Sequence, residues 1–125
     1  MENLHINKTK YTLAVDFDVK KGILKISGSS YPENALEFFK PIFEYLEQFI
    51  NENKKRLLLE LNIDYLNTSS TKCLLDIFEI LESYQTVDGS VQIKWFYQKG
   101  DEDIFETGKE LAEDYDLPID FISYE

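Results

Sequence analysis

Four hydroxyl side chains, Thr68, Ser69, Ser70 and Thr71, stand between the apolar run Leu57-Leu58-Leu59-Glu60-Leu61-Asn62-Ile63 and a segment, Cys73 to Tyr84, with apolar residues at helical spacing. The run reads as a short buried strand and the segment as a helix, so the hydroxyls fall at a strand-to-helix turn. At such a turn the leading N–H groups lack intrahelical partners and the helix dipole is positive, which stabilises an anion such as phosphate. One of Ser69, Ser70 or Thr71 is expected to cap the helix by accepting from a free N–H, and on residue chemistry alone this is the stronger reading. A cap needs only one such residue, which leaves Thr68 available to a protein kinase.

No catalytic constellation accompanies these hydroxyls. His5 lies near the N-terminus, expected to be mobile, and has no Ser or Cys partner nearby in the sequence, so a surface histidine is expected. Cys73 is the single cysteine; it cannot form an internal disulfide and, with one histidine in the chain, cannot build a Cys/His zinc site. It reads as a small core residue of the second helix. The phosphate-binding and dinucleotide-binding glycine signatures are absent from the sequence, so nucleotide chemistry has no support there. Asp101-Glu102-Asp103, followed by Glu106, Glu110, Glu113, Asp114 and Asp116, is dense in carboxylates but lacks the glycine and ligand spacing of a calcium loop. A solvated acidic helix face is the stronger reading, and a small-ligand or metal sensor using 101–116 is the alternative. No catalytic residue, metal ligand or cofactor is expected.

Composition narrows the partners. Twenty-four acidic against 13 basic residues give a formal charge of -11, which repels nucleic-acid backbones and anionic membrane surfaces. Neither is expected as a partner. The first residues, Met1-Glu2-Asn3-Leu4-His5, have no apolar core of signal-peptide length, and no run approaches the roughly 18 apolar residues that span a bilayer, so a cytoplasmic protein is expected. The 125 residues, 43% hydrophobic and without a Pro/Gly/Ser-rich linker, suit a single domain over 1–125.

The elements that must position the hydroxyls follow from periodicity. Tyr11 to Val19 alternates apolar with polar, Lys20-Lys21-Gly22 offers a turn, and Ile23 to Gly28 returns, which predicts a β-hairpin. From Asn34, the residues Ala35, Phe39, Ile42, Leu46, Phe49 and Ile50 recur at three- and four-residue steps, predicting a long amphipathic helix with an irregularity at Pro41. Phe39 and Phe49 are expected in the core; Phe38 and Tyr45 fit either a wide buried stripe or an exposed aromatic patch. The strand Arg56 to Ile63 and the helix Ser70 to Tyr84 lead through the turn Val87-Asp88-Gly89-Ser90 into a strand from Val91 to Tyr97, a βαβ unit. A third helix over Glu102 to Tyr115, with Phe105, Leu111 and Ala112 inward, and a short strand from Leu117 to Ile122 complete the order β-β-α-β-α-β-α-β. That order predicts an α/β (α+β) fold, a mixed sheet with helices packed on it.

Several separated blocks carry a family resemblance. Gly28-Ser29-Ser30-Tyr31-Pro32-Glu33-Asn34-Ala35 with Phe39 and Pro41-Ile42, then Leu66-Asn67-Thr68-Ser69-Ser70-Thr71-Lys72, then Trp95-Phe96-Tyr97 and Gly100-Asp101-Glu102-Asp103, ending in Glu113-Asp114-Tyr115-Asp116-Leu117-Pro118, closely resemble the SiaC family of bacterial regulatory phosphoproteins. The resemblance covers nearly the whole chain and implies a STAS-like fold. It implies a partner switch in place of an enzyme: a cognate kinase phosphorylates Thr68, a PP2C-type phosphatase reverses it, and the unphosphorylated form binds and activates an effector such as a diguanylate cyclase, tying the switch to cyclic-di-GMP and biofilm formation. Leu66, Asn67, Thr68, Ser69, Ser70 and Lys72 are the partner-binding residues expected on this basis. Lys72, one helical turn beyond Thr68, would pair with the phosphate for only about 0.2 to 1 kcal/mol if exposed.

Overall fold

Alternating burial along the strands shows why a one-sided sheet forms. In the computed structural model, which describes residues 1–53, 56–87 and 90–125, Val15 and Phe17, then Leu24 and Ile26, then Leu57, Leu59, Leu61 and Ile63, then Val91, Ile93 and Trp95 are buried, while the residues between them are half-buried or exposed. A period of two sends each set to one face. The described residues form β1 (Leu4–Ile6), β2 (Ala14–Asp18), β3 (Ile23–Ser30), α1 (Ala35–Asn53), β4 (Leu57–Leu66), α2 (Thr68–Val87), β5 (Val91–Gln98), α3 (Glu102–Glu113) and β6 (Ile119–Tyr124).

The strands lie side by side in chain order, β1-β2-β3-β4-β5-β6. The first three are antiparallel, and β3 through β6 are parallel, each joined to the next through a helix. Right-handed crossovers that always step the same way along a sheet put their helices on the same face. The result is a mixed α/β sheet with helices packed on it, as the element order predicts, and the helices cover one face.

The hairpin turn forms as expected. Gly22, at φ +67, donates its N–H to Asp18 O at 2.9 Å, and a Cβ there would lie 2.4 Å from Arg56 O. Phe39 and Phe49 are core residues, whereas Phe38 and Tyr45 are half-buried, Phe38 edge-on to Phe39 and Tyr45 tilted against Phe17. The wide stripe is therefore the outcome for these aromatics. Helix α1 runs through Pro41 without a break, because Pro41 lies on its exposed side, where a carbonyl left without a donor can be hydrated.

One strand was not expected, and most element ends fall a few residues from their expected places. The N-terminal segment is a strand: β1 pairs antiparallel with β2, and His5, though exposed, is opposite Asp16. An isolated three-residue run has too little pattern to announce itself, and the partner strand supplies its hydrogen bonds. Strand β4 extends to Leu66, and α2 begins two residues earlier than expected, at Thr68. In α3 the buried residues are Ile104, Gly108 and Leu111, while Phe105 and Ala112 are half-buried. Asp88 and Gly89 of the expected turn lie outside the described residues.

Candidate functional site

Asn67, and not one of the three hydroxyl residues expected for the role, caps α2. Its Oδ1 accepts from Ser70 N–H at 2.9 Å and from Ser69 Oγ at 3.3 Å, and its carbonyl accepts from Thr71 N–H at 2.9 Å and Thr71 Oγ1 at 3.0 Å. Asparagine does this because its side-chain oxygen reaches the N–H three residues on while its own backbone stays outside the helix. The cap is itself tied down: Asn67 N–H donates to Ser30 O at 2.8 Å, and Asn67 Nδ2 donates to Pro32 O at 3.4 Å.

The hydroxyls then separate by role. Ser70 is 0% exposed and shares a 2.7 Å hydrogen bond with Ser30, also 0% exposed. Each hydroxyl is buried and satisfies the other, which welds the end of β3 to the first turn of α2. Ser70 therefore has no surface to offer a partner, a correction to its expected place in the binding face. The reason is non-local: Ser30 lies 40 residues upstream, and no local pattern pairs the two.

Thr68 is the first residue of α2 and is exposed, and its hydroxyl makes no hydrogen bond among the described residues. Ser69 and Lys72 are also exposed, and Leu66 and Asn67 are half-buried. The backbone N–H groups of the first turn and the positive end of the dipole lie beside the Thr68 side chain, so a phosphate there would be locally stabilised.

A profile of the SiaC family of regulatory phosphoproteins matches residues 6–124 of the chain. The chain belongs to the SiaC family. Other comparisons agree with this membership. An uncharacterized protein of Pseudomonas aeruginosa (strain UCBPP-PA14) is 36% identical over 119 residues, covering 95% of this chain and 94% of that protein. SiaC of Pseudomonas aeruginosa superposes with a TM-score of 0.93 at 34% identity, covering 99% of this chain and 100% of that one. A solved complex of the diguanylate cyclase SiaD with its activator SiaC from Pseudomonas aeruginosa contains a chain matching at TM-score 0.93 and 35% identity, covering 97% of this SiaC-family chain and 99% of that one.

The other candidates occupy structural positions. Asp101, first of the acidic series, is the N-cap of α3, its Oδ1 accepting from Ile104 N–H at 3.1 Å. Among the described residues no group of three or more His, Cys, Asp and Glu could hold a metal ion, and no helix is long and apolar enough to cross a membrane. Cys73 is buried and burial pushes its thiol up, away from the thiolate a nucleophile requires. His5 Nδ1 meets Asp16, and its Nε2 meets Asn7 Oδ1 at 2.7 Å; no Ser or Cys hydroxyl or thiol is within its hydrogen bonds. Sequence reasoning gave no separate role to Ser30 or to three exposed tyrosines near the turn: Tyr65, two residues before the cap, Tyr31, next to Ser30, and Tyr11, whose carbonyl accepts from Tyr31 N–H.

Proposed function

We propose that this SiaC-family protein is a non-enzymatic partner switch controlled at Thr68. A cognate kinase phosphorylates Thr68, a PP2C-type phosphatase removes the phosphate, and the unphosphorylated form binds an effector of the diguanylate cyclase type. The observation that carries this reading is the division of labour at the turn. Asn67 caps the helix and Ser70 is locked to Ser30, so the exposed Thr68 hydroxyl is not needed for the fold. Likeness to an activator bound to a diguanylate cyclase supports the choice of effector.

The switch works through local electrostatics. Phosphorylation adds about -1.5 to -2 charges and three acceptor oxygens at one position. Beside the helix N-terminus the group is tolerated, so the fold persists. An effector packed over Leu66, Asn67, Thr68, Ser69 and Lys72 would meet a bulky dianion and have to desolvate it, on a protein that already carries a formal charge of -11. Binding is lost without unfolding.

Isothermal titration of the wild type, Thr68→Ala and Thr68→Glu with purified diguanylate cyclase SiaD of Pseudomonas aeruginosa tests the reading. Wild type and Thr68→Ala are expected to bind alike and Thr68→Glu at least roughly tenfold more weakly, the factor that about 1.4 kcal/mol represents. Equal binding by all three would sink the switch.

A further inference from the structure

Strand β4 contains an irregularity that turns a tyrosine outward. Leu57, Leu59, Leu61 and Ile63 are buried at every second position, and the same alternation would bury Tyr65 next. Instead the pairing with β3 jumps from Gly28↔Ile63 to Ser29↔Tyr65, leaving Asp64 as the extra residue of a bulge, with Gly28 at φ +106 opposite it. A bulge of this kind re-aims the side chain that follows it. Tyr65 consequently pairs with half-buried Ser29 and stands 53% exposed.

The exposed ring does not stand alone. Tyr31, 38% exposed, meets Tyr65 edge-on at 5.8 Å between centroids, and Tyr11, 52% exposed, meets Tyr31 edge-on at 5.2 Å. The backbone holds the three in place, since Tyr31 N–H donates to Tyr11 O at 3.0 Å and the residue before Tyr31 is bonded to the α2 cap through Ser30 O. Edge-to-face packing fixes the rings relative to one another, so little further ordering is required when a partner arrives. Lysines edge the cluster: Lys10 Nζ lies 5.7 Å from the centre of the Tyr11 ring, and the Lys8 stem lies over Gly28 at the bulge. The two lysines, both exposed, mark the Tyr11 side of the aromatic surface, and exposed Asp64 lies beside Tyr65 on the other.

We propose that Tyr11, Tyr31 and Tyr65 are the docking platform for the Thr68-controlled effector, taking an apolar segment of that protein with a carboxylate at the Tyr11 end. The platform rests on the reading of Thr68 as the switch. Two observations select this occupant. The platform is continuous with the Thr68 turn, through Tyr65-Leu66-Asn67 along the chain and through Ser30 across the sheet. Lys8 and Lys10 on the Tyr11 side complement an acidic side chain placed there. Tyrosine is among the residues most enriched where truncation costs binding most.

The test is titration of SiaD with Tyr65→Ala, Tyr65→Phe, Tyr11→Ala and Thr68→Glu, beside wild type and with circular dichroism of each variant. Tyr65→Ala is expected to bind at least roughly tenfold more weakly with an unchanged fold, and Tyr65→Phe to retain most of the affinity because the ring remains. Tyr11→Ala removes a ring from a loop position and loses affinity by a smaller factor. Wild-type binding by Tyr65→Ala and Tyr11→Ala, with Thr68→Glu still impaired, overturns the platform and leaves the switch intact. Binding by Thr68→Glu equal to wild type, or no binding by wild type, overturns the switch and the platform with it.

Discussion

Asn67 and His5 show what a single side chain contributes once its partners are in place. Asn67 bridges three segments, accepting from the first turn of α2 while donating to Ser30 and Pro32. Asn67→Ala removes the cap and is expected to cost about 1 kcal/mol, or roughly 3 to 6 °C in melting temperature, read by denaturant and thermal unfolding. At the other end of the sheet, both ring nitrogens of His5 face oxygen acceptors, Asp16 and Asn7, so only the doubly protonated ring donates to both. The hydrogen bond to Asp16 first, then that to Asn7, then the charge of Asp16 hold its pKa above the ordinary 6.5. A raised folded-state pKa gives stability that is fully present below the unfolded value and is lost as pH rises through the folded value. The pair therefore fastens β1 more firmly on the acid side of about 6.5. Titration of the His5 ring protons by NMR should give a midpoint above that of an unstructured peptide, and the stability difference between wild type and His5→Ala should shrink as pH is raised through it.

Between elements, close approach decides what a position tolerates. Trp95 on β5 is buried and donates Nε1–H to Ile104 O at 3.2 Å, and its ring fills the space over Gly108 in α3. Helix propensity alone says that Gly108→Ala should stabilise α3 by about 1 kcal/mol. A Cβ at 108 would lie 2.6 Å from Trp95 Cε2 and Nε1, so packing reverses the sign. Gly108→Ala is expected to destabilise by about 1 to 3 kcal/mol in urea unfolding. The glycine allows the third helix to lie directly on the indole ring. A net gain in stability would mean that α3 can lift from the sheet without loss.

For the whole molecule, charge and topology act together. A formal charge of -11 on 125 residues repels itself, and the ion pairs His5–Asp16 and Lys99–Glu125 are both exposed, where water weakens them. Salt screens such repulsion over a length of about 10 Å at 0.1 M. The melting temperature is expected to rise by a few degrees between roughly 10 mM and 0.3 M sodium chloride, and to rise further for the Thr68-phosphorylated form. A fall with salt would show that favourable surface pairs outweigh the repulsion.

The order of the main elements, the helix faces and most of the core could be read from the sequence because periods of two and of three to four are local properties of the chain, as in Leu57 to Ile63 or Ala35 to Ile50. The hydroxyl-rich turn before the second helix was legible for the same reason, and so was the fact that the helix there needs a cap. Which residue caps it, which hydroxyl is buried and which ring faces outward were decided only by the tertiary structure. Ser70 is buried because Ser30 lies across from it, Tyr65 is exposed because Gly28 permits a bulge in the facing strand, and His5 is part of a strand because β2 offers an edge. Each depends on a partner distant in sequence, whose position is set by sheet register and packing and leaves no periodic trace in the chain.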